Sequence, residues 1–384
     1  MSIHAEAWFI HAAAPGQPGG RARLVREAFT FGDVEPDEVL LEPLFGGWEA
    51  NMDHALSRSP VDICRHRREE RVVLGNSGVV RVLEVGRAVT TAEPGQLAVL
   101  WPATALDPFG YPELMWGYDA PGSLGCLATR LKCKAHELCT LPGDTRHALA
   151  RWAAFSVKYG AAWSNWKLAH AVLRAQISAE ELPAPHVWGF GGGTTLAELE
   201  LARHVGCQTV MLSGNTARRR TIEAKGVTPL DRSALGDLSF DDERFAADAD
   251  FRRAYVAAEA AFLAEVRGRT EGQGVHVFVD YIGSPTFRAA SKALAREGVL
   301  TTAGWKEGRM ISYQRPTSCI KRHQYIHTHG TRGSEAREAV TYAERTGWLP
   351  LPDERIFSFD EIPELADRYA EGQLGLFPIY RVHG

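Results

Sequence analysis

The chain has 384 residues, 45 % hydrophobic and 23 % charged, with a formal net charge of −4. That length suffices for two domains with a sizeable core, and the composition is that of an ordinary globular protein. No apolar run reaches membrane-spanning length, no basic region precedes the short apolar N-terminal stretch as in a signal peptide, and scattered basic residues argue against nucleic acid as a partner.

The first 150 residues read as short strands between glycine and proline turns. Val39–Leu44, Val72–Leu74, Val79–Val85 and Leu97–Trp101 have β-type composition. Glu84-Val85-Gly86 and Pro94-Gly95-Gln96 punctuate them as turns. From Arg151 to about Leu173 an alanine- and aromatic-rich run predicts helices. Residues 233–268 alternate acidic and basic side chains among alanines, which predicts surface helices inserted into a larger unit. Val275–Tyr281 is a buried-strand candidate, Phe287–Leu294 a helix and Val299–Ala303 the next strand. Strand–helix alternation over 187–303 implies a parallel sheet. The tail from Trp348 returns to short strands and a helix over Glu361–Ala370.

His186–Ser213 is the most informative stretch. An apolar run at Val187–Trp188 enters a glycine cluster, Gly189–Gly193. A helical pattern follows at Leu196, Leu199, Leu201, Ala202 and Val205, and Thr209–Leu212 closes the unit. Strand, glycine turn, helix and strand make half of a dinucleotide-binding fold. Glycines let the backbone approach a pyrophosphate, and the helix N-terminus supplies free N–H groups. An ordinary strand-to-helix turn is the alternative. The acid that NAD sites place after the second strand, on the ribose 2′-OH, is missing here. Ser213 is followed by Arg218, Arg219 and Arg220, which suits a 2′-phosphate, because guanidinium groups bind phosphate oxygens bidentately. A solvated basic turn is the bland reading. The cofactor expected is NADP(H), held by Gly189, Gly191, Gly192, Gly193, Thr194, Thr195, Ser213, Arg218 and Arg219.

Further motifs accompany this turn: Gly75-Asn76-Ser77-Gly78-Val79-Val80 with Glu84-Val85-Gly86, Pro94-Gly95 before an apolar run, and Val279-Asp280-Tyr281-Ile282-Gly283. In this order the chain resembles the medium-chain dehydrogenase/reductase superfamily over nearly its whole length. The resemblance implies an α/β protein: a GroES-like β-barrel substrate domain over 1–150, completed by 345–384, and a Rossmann doubly wound parallel-sheet domain over 151–344. Two departures stand out. Asn76 replaces the family's zinc-ligating histidine, and Gly46–Asn51 holds no cysteine, so no metal is expected. The last glycine of the fingerprint is Thr194 or Thr195. Among zinc-free members the chain looks most like the crotonyl-CoA carboxylase/reductase branch, through Gly122-Ser123-Leu124-Gly125, Trp188 before the glycine turn, and Lys321–His327. That likeness places His327 and Asn51 at the branch's CO2-pocket histidine and asparagine. The pocket's Phe-Glu pair has no match, so simple reduction is expected rather than carboxylation.

Reducing an enoyl thioester puts hydride on the β-carbon and negative charge on the thioester oxygen, which hydrogen-bond donors can stabilise without a metal. Asn51, Tyr159 and His327 are the catalytic candidates, with Lys158 a further polar one. Tyr159, beside Trp163 and Trp166, reads more readily as core than as an acid, and Lys158 also reads as exposed. His323, His327 and His329 resemble a metal cluster but lack a nearby cysteine or carboxylate. Trp48, Trp116, Tyr118 and Trp163 line a pocket or simply pack. The six cysteines form no C-x-x-C pair, which suggests a reduced, cytoplasmic protein. The reading is an NADPH-dependent, zinc-independent reductase of an α,β-unsaturated carbonyl compound, taking a small-molecule substrate such as an acyl thioester of CoA or acyl-carrier protein. Neither nucleic acid nor membrane is a partner, and a homodimer is expected. The alternatives are a metal-free alcohol dehydrogenase or ketone reductase, and a nucleotide-binding non-enzyme.

Overall fold

Alternation shapes the N-terminal strands. The computed structural model describes residues 2–14, 20–302, 304, 316–328 and 330–383. Strand β1 (Ile3–His11) turns Ala5, Ala7 and Phe9 inward and pairs antiparallel with β2 (Val25–Phe31). Strand β3 (Glu38–Gly47) is buried along most of its length. Pro43 cannot donate to a ladder, and the register of β3 shifts between Pro43 and Phe45. Helices α1 (Ala50–Ser57) and α2 (Ile63–Arg67) follow, α2 capped by the Asp62 carboxylate accepting from the Arg65 N–H. Next come β4 (Arg71–Val73), β5 (Gly78–Val85), β6 (Leu97–Leu100), β7 (Ala105–Leu106), β8 (Pro112–Leu114), β9 (Leu131–Lys134) and β10 (Leu138–Thr140). Helices α3 (Leu149–Ala153) and α4 (Ser156–Gln176) close this part.

The second part alternates regularly. Its elements are β11 (His186–Phe190), α5 (Gly193–His204), β12 (Gln208–Ser213), α6 (Thr216–Ala224), β13 (Thr228–Asp231), α7 (Asp242–Ala247), α8 (Ala249–Arg269), β14 (Val275–Asp280), α9 (Ser284–Ala293), β15 (Leu294–Thr302), α10 (Pro316–Ile320) and β16 (Gln324–His327). The strands form one parallel sheet in the order β13-β12-β11-β14-β15-β16. That is the doubly wound order, with its reversal between β11 and β14. All six residues of β14 are buried, as expected of a central strand covered on both faces. The charged stretch folds as α7 and α8, with Asp248 capping α8 through the Asp250 and Phe251 N–H groups. Ala303, the expected end of β15, lies outside the described residues.

The chain then adds α11 (Gly333–Thr346), β17 (Ile356–Phe357), α12 (Ile362–Ala370) and β18 (Ile379–Arg381). Gly347 ends α11 at φ 74°, a left-handed cap that glycine adopts without steric cost. The tail strands join the first part's main sheet, in the order β10-β6-β5-β3-β18-β17, with β9 also on β3. A separate sheet holds β2-β1-β4.

Contacts divide the chain into Met1–Gly160 with Gly330–Gly384 as unit 1, and Ala161–His329 as unit 2. The sequence reading set the boundaries at 151 and 344. They differ because α3 packs on β3 and β5, and α11 on β10, both inside unit 1. Each unit has its own apolar core, one around Trp48, Leu41, Val80 and Tyr380, the other around Trp188, Phe190, Phe262 and Phe278. Among the described residues no helix is long and apolar enough to cross a membrane.

Candidate functional site

In unit 2 the glycine turn sits at the C-terminal end of β11, where doubly wound sheets bind their ligands. Gly191 has φ 144°, and a Cβ there would stand 2.2 Å from Thr195 Oγ1, so only glycine fits. Gly192 precedes α5, and a Cβ on it would meet nothing within 4 Å. Gly193 opens the helix, its N-cap Gly192 makes no side-chain cap, and among the described residues no acid stands in its first turn. Free N–H groups and the positive end of the helix dipole therefore face an open edge. Thr194, half-buried, lies on this first turn.

Two of the expected cofactor contacts have a different role. Thr195 is fully buried, and its hydroxyl donates to the Phe190 carbonyl at 3.1 Å. Gly189 is a strand residue whose added Cβ would lie 2.4 Å from Thr195 Cγ2. The close approach of helix and strand is retained, but the missing side chain is on the strand and the bulk on the helix. Thr195 and Gly189 are packing partners, with no surface left for a nucleotide.

At the end of β12, Ser213 is nearly buried and its Oγ accepts from the Asn215 N–H at 3.3 Å. Asn215 caps α6 by accepting from the Arg218 N–H. Arg219 donates to the Ser213 carbonyl and pairs with Asp231, both at 3.1 Å. Asp231 ends β13, and its hydrogen bond from Ser233 holds its carboxyl below the usual range, so it stays anionic. Arg219 is thus fastened to the rim by an acid one strand beyond β12. Arg218 is half-buried and Arg220 exposed.

Beneath the turn lies a network that sequence reasoning missed. The Asn165 amide donates to Glu198 at 3.0 Å and to the Tyr281 hydroxyl at 2.9 Å, and its carbonyl accepts from Thr301 Oγ1 at 2.6 Å. Complete burial pushes the Glu198 carboxyl up to about 8, partly offset by the hydrogen bonds from Asn165 and Tyr281. In the run Leu196–Leu201 a glutamate between leucines looks like an exposed helix face, so no local signal marked it. Burial likewise pushes Asp280 up to about 6, while it accepts from the Ile282 and Gly283 N–H groups and Thr286 Oγ1. His327, at the last position of β16, is exposed and pairs in register with Thr302, which pairs with Asp280.

Unit 1 holds Asn51 and Tyr159, so the three catalytic candidates do not fall in one unit. Asn51 is half-buried in the first turn of α1. Tyr159 is fully buried, with its ring 5.3 Å from Phe155 and 4.7 Å from Trp348, inside an aromatic cluster. Phe377 is a third aromatic neighbour, so the ring of Tyr159 packs inside the core of unit 1. Trp48, Trp116 and Tyr118 belong to the same unit's core. Lys158 is buried, not exposed: Nζ donates to Glu49 Oε2 at 2.6 Å and to the Trp48 carbonyl at 3.2 Å. Removing one partner of such a pair typically costs about 3–5 kcal/mol, since it strands the other charge.

These residues do not fit a catalytic zinc. Asn76 is a poor ligand, and Glu49 is neutralised by an ammonium group that a cation would repel. Among the described residues no group of three or more His, Cys, Asp or Glu side chains could hold a metal ion. His329 lies outside the described residues. A broad concavity of unit 1 lined by Asp37, His136 and Arg337 includes none of the candidates.

No protein-family model matches the chain, and no curated protein matches it. Solved structures do match its fold. The crotonyl-CoA carboxylase/reductase AntE in complex with NADP has a TM-score of 0.78 at 19 % identity, covering 99 % of this chain and 95 % of that one. The 2-octenoyl-CoA carboxylase reductase CinF, in complex with NADP and 2-octenoyl-CoA, also gives 0.78 at 19 %, over 98 % and 87 %. An alcohol dehydrogenase from Thermotoga maritima gives 0.74 at 16 %, over 99 % of this chain and 99 % of that one. The chain therefore has the two-domain fold of the medium-chain dehydrogenases and reductases, a GroES-like unit and a Rossmann unit.

Proposed function

We propose that this chain is an NADPH-dependent reductase of an α,β-unsaturated carbonyl compound, with no requirement for zinc. One observation carries the reading: an uncapped helix N-terminus behind Gly191–Gly193, with Arg218, Arg219 and Arg220 following the next strand of a doubly wound sheet. The residues fit a dinucleotide. The turn offers a surface at Gly192 that a Cβ would occupy, and the α5 N–H groups suit a pyrophosphate. Arg218 and Arg219 are the contacts proposed for a 2′-phosphate, with Arg219 also held to the rim by Asp231. When bound, NADPH supplies the hydride. The protein's part is to hold the nucleotide and to offer donors to the oxygen where charge develops.

The likeness to AntE and CinF, whose structures contain NADP and in one case octenoyl-CoA, supports an enoyl thioester as substrate. The likeness to alcohol dehydrogenases supports a ketone or aldehyde as the second reading. Titration with NADPH and NADH, followed by enoyl thioesters and ketones read at the nicotinamide band, tests both. NADPH is expected to bind about ten-fold tighter than NADH or better, about 1.4 kcal/mol. Equal affinities would sink the cofactor assignment. Oxidation of NADPH by ketones alone would select the second reading.

A further inference from the structure

The network beneath the glycine turn holds an acid that no cation offsets. Glu198 is fully buried in α5. Its oxygens accept from the Asn165 amide of α4, at 3.3 and 3.0 Å, and from the Tyr281 hydroxyl just past β14, all neutral donors. Among the described residues no Lys, Arg or His pairs with it. Thr301 of β15 closes the network by donating to Asn165 Oδ1, and Glu200 on the same helix pairs with Lys225 instead. The other titratable groups at this end of the sheet are Asp280 and Tyr281. Burial pushes Asp280 up to about 6 and the Tyr281 phenol well above its ordinary value. Tyr281 ties the network to the turn. Its N–H donates to the Phe190 carbonyl at 3.0 Å, and a Cβ on Gly191 would stand 3.1 Å from Tyr281 Cβ. Along the axis of α5, Glu198 comes about 7.5 Å after Gly193.

We propose that dinucleotide binding at this turn is proton-linked through Glu198: the neutral acid admits an anionic pyrophosphate, and its ionisation weakens binding. The inference rests on the nucleotide reading above and adds a regulation that the turn alone does not carry. Free N–H groups and the positive dipole end of α5 attract an anion, and a carboxylate inside the same helix opposes both. Buried, that charge is poorly screened. In the free chain burial pushes Glu198 up to about 8, so it is mostly neutral near pH 7. A bound anion raises it further, and the coupling is reciprocal: affinity is full below about pH 7 and is lost as pH rises through the two values. A like charge at this range moves an acid by about one unit, a ten-fold change in affinity. Asp280 completes its titration at lower pH and Tyr281 stays neutral, so within the network Glu198 titrates alone in this window.

The test is calorimetric titration of the whole protein with NADPH between about pH 7 and about pH 9.5, in pairs of buffers that differ in heat of ionisation. The dissociation constant is expected to rise about ten-fold over this range, with about half a proton taken up per nucleotide near the middle of it. Glu198→Gln should match the parent near pH 7, lose both the rise and the proton uptake, and bind about ten-fold tighter than the parent at the alkaline end. Damage to the fold does not produce such a gain. Tyr281→Phe removes a donor to the ionised carboxylate and should move the onset of weakening to higher pH. A flat dissociation constant in the parent, the parental rise persisting in Glu198→Gln, or an unmoved onset in Tyr281→Phe would each overturn the proposal. Tight binding that is flat with pH removes the proton link alone, whereas no NADPH binding at any pH overturns the nucleotide reading and the link with it.

Discussion

Glu198 is an ionisable group held without a counter-charge among the described residues of unit 2. Its ordinary value is 4.5, and burial moves it to about 8 in the folded chain. The folded state therefore binds a proton that the unfolded state releases between these values. Stability should fall as pH rises from about 4.5 toward 8, by at most about 1.4 kcal/mol per pH unit, and level off above. Glu198→Gln keeps the Asn165 contact and removes the titration. Urea unfolding of both proteins across this range checks it, and parallel stability profiles would refute it. At the rim, Arg218→Ala with Arg219→Ala should erase most of the NADPH preference, about 1.4 kcal/mol, while NADH affinity stays near the parent's. Competitive titration with the two nucleotides reads the difference. His327→Ala, an exposed change, should leave stability within about 0.5 kcal/mol. Steady-state kinetics on the reduced substrate then decides its role: a lowered kcat at unchanged NADPH affinity supports an active-site donor, and full activity removes it from the site.

The β11–α5 unit shows how an element tolerates a broken motif. A glycine in the helix normally lets strand and helix approach, and here Gly189 on the strand takes that part against Thr195. Gly189→Ala should therefore overpack the contact and destabilise the fold by about 1–3 kcal/mol. Thr195→Ser removes the Cγ2 methyl that the new Cβ would strike, so the double variant should recover much of the loss. Chemical denaturation of the four proteins forms a double-mutant cycle, and additive effects would show that the two side chains do not meet. The adjoining α6 depends on its Asn215 cap in the same local way.

Over the whole molecule, the chain forms two units with separate cores. A ligand that binds only the folded state at about 100 times its Kd adds about 2.7 kcal/mol. For the nucleotide proposed here this should raise the melting temperature by roughly 5–10 °C, with about half of that gain when NADH, bound about ten-fold more weakly, replaces NADPH at equal concentration. Differential scanning calorimetry measures it, and an unshifted melting curve at saturating NADPH would contradict the assignment.

Local pattern was enough to read much of this protein. The strands at Val79–Val85 and Val275–Tyr281, the glycine turn and the arginines after β12 were legible because each depends on side-chain alternation, backbone freedom or charge within a few residues. The alternation of strands and helices also carried the parallel sheet. What tertiary structure decided were relations between distant segments. Asp231 claims Arg219 from the neighbouring strand, Lys158 reaches Glu49 across more than a hundred positions of sequence, and Phe155, Trp348 and Phe377 enclose Tyr159. Whether a glutamate is exposed or a tyrosine buried depends on what packs against it, and in Glu198 and Tyr159 those partners come from elements that no local pattern joins.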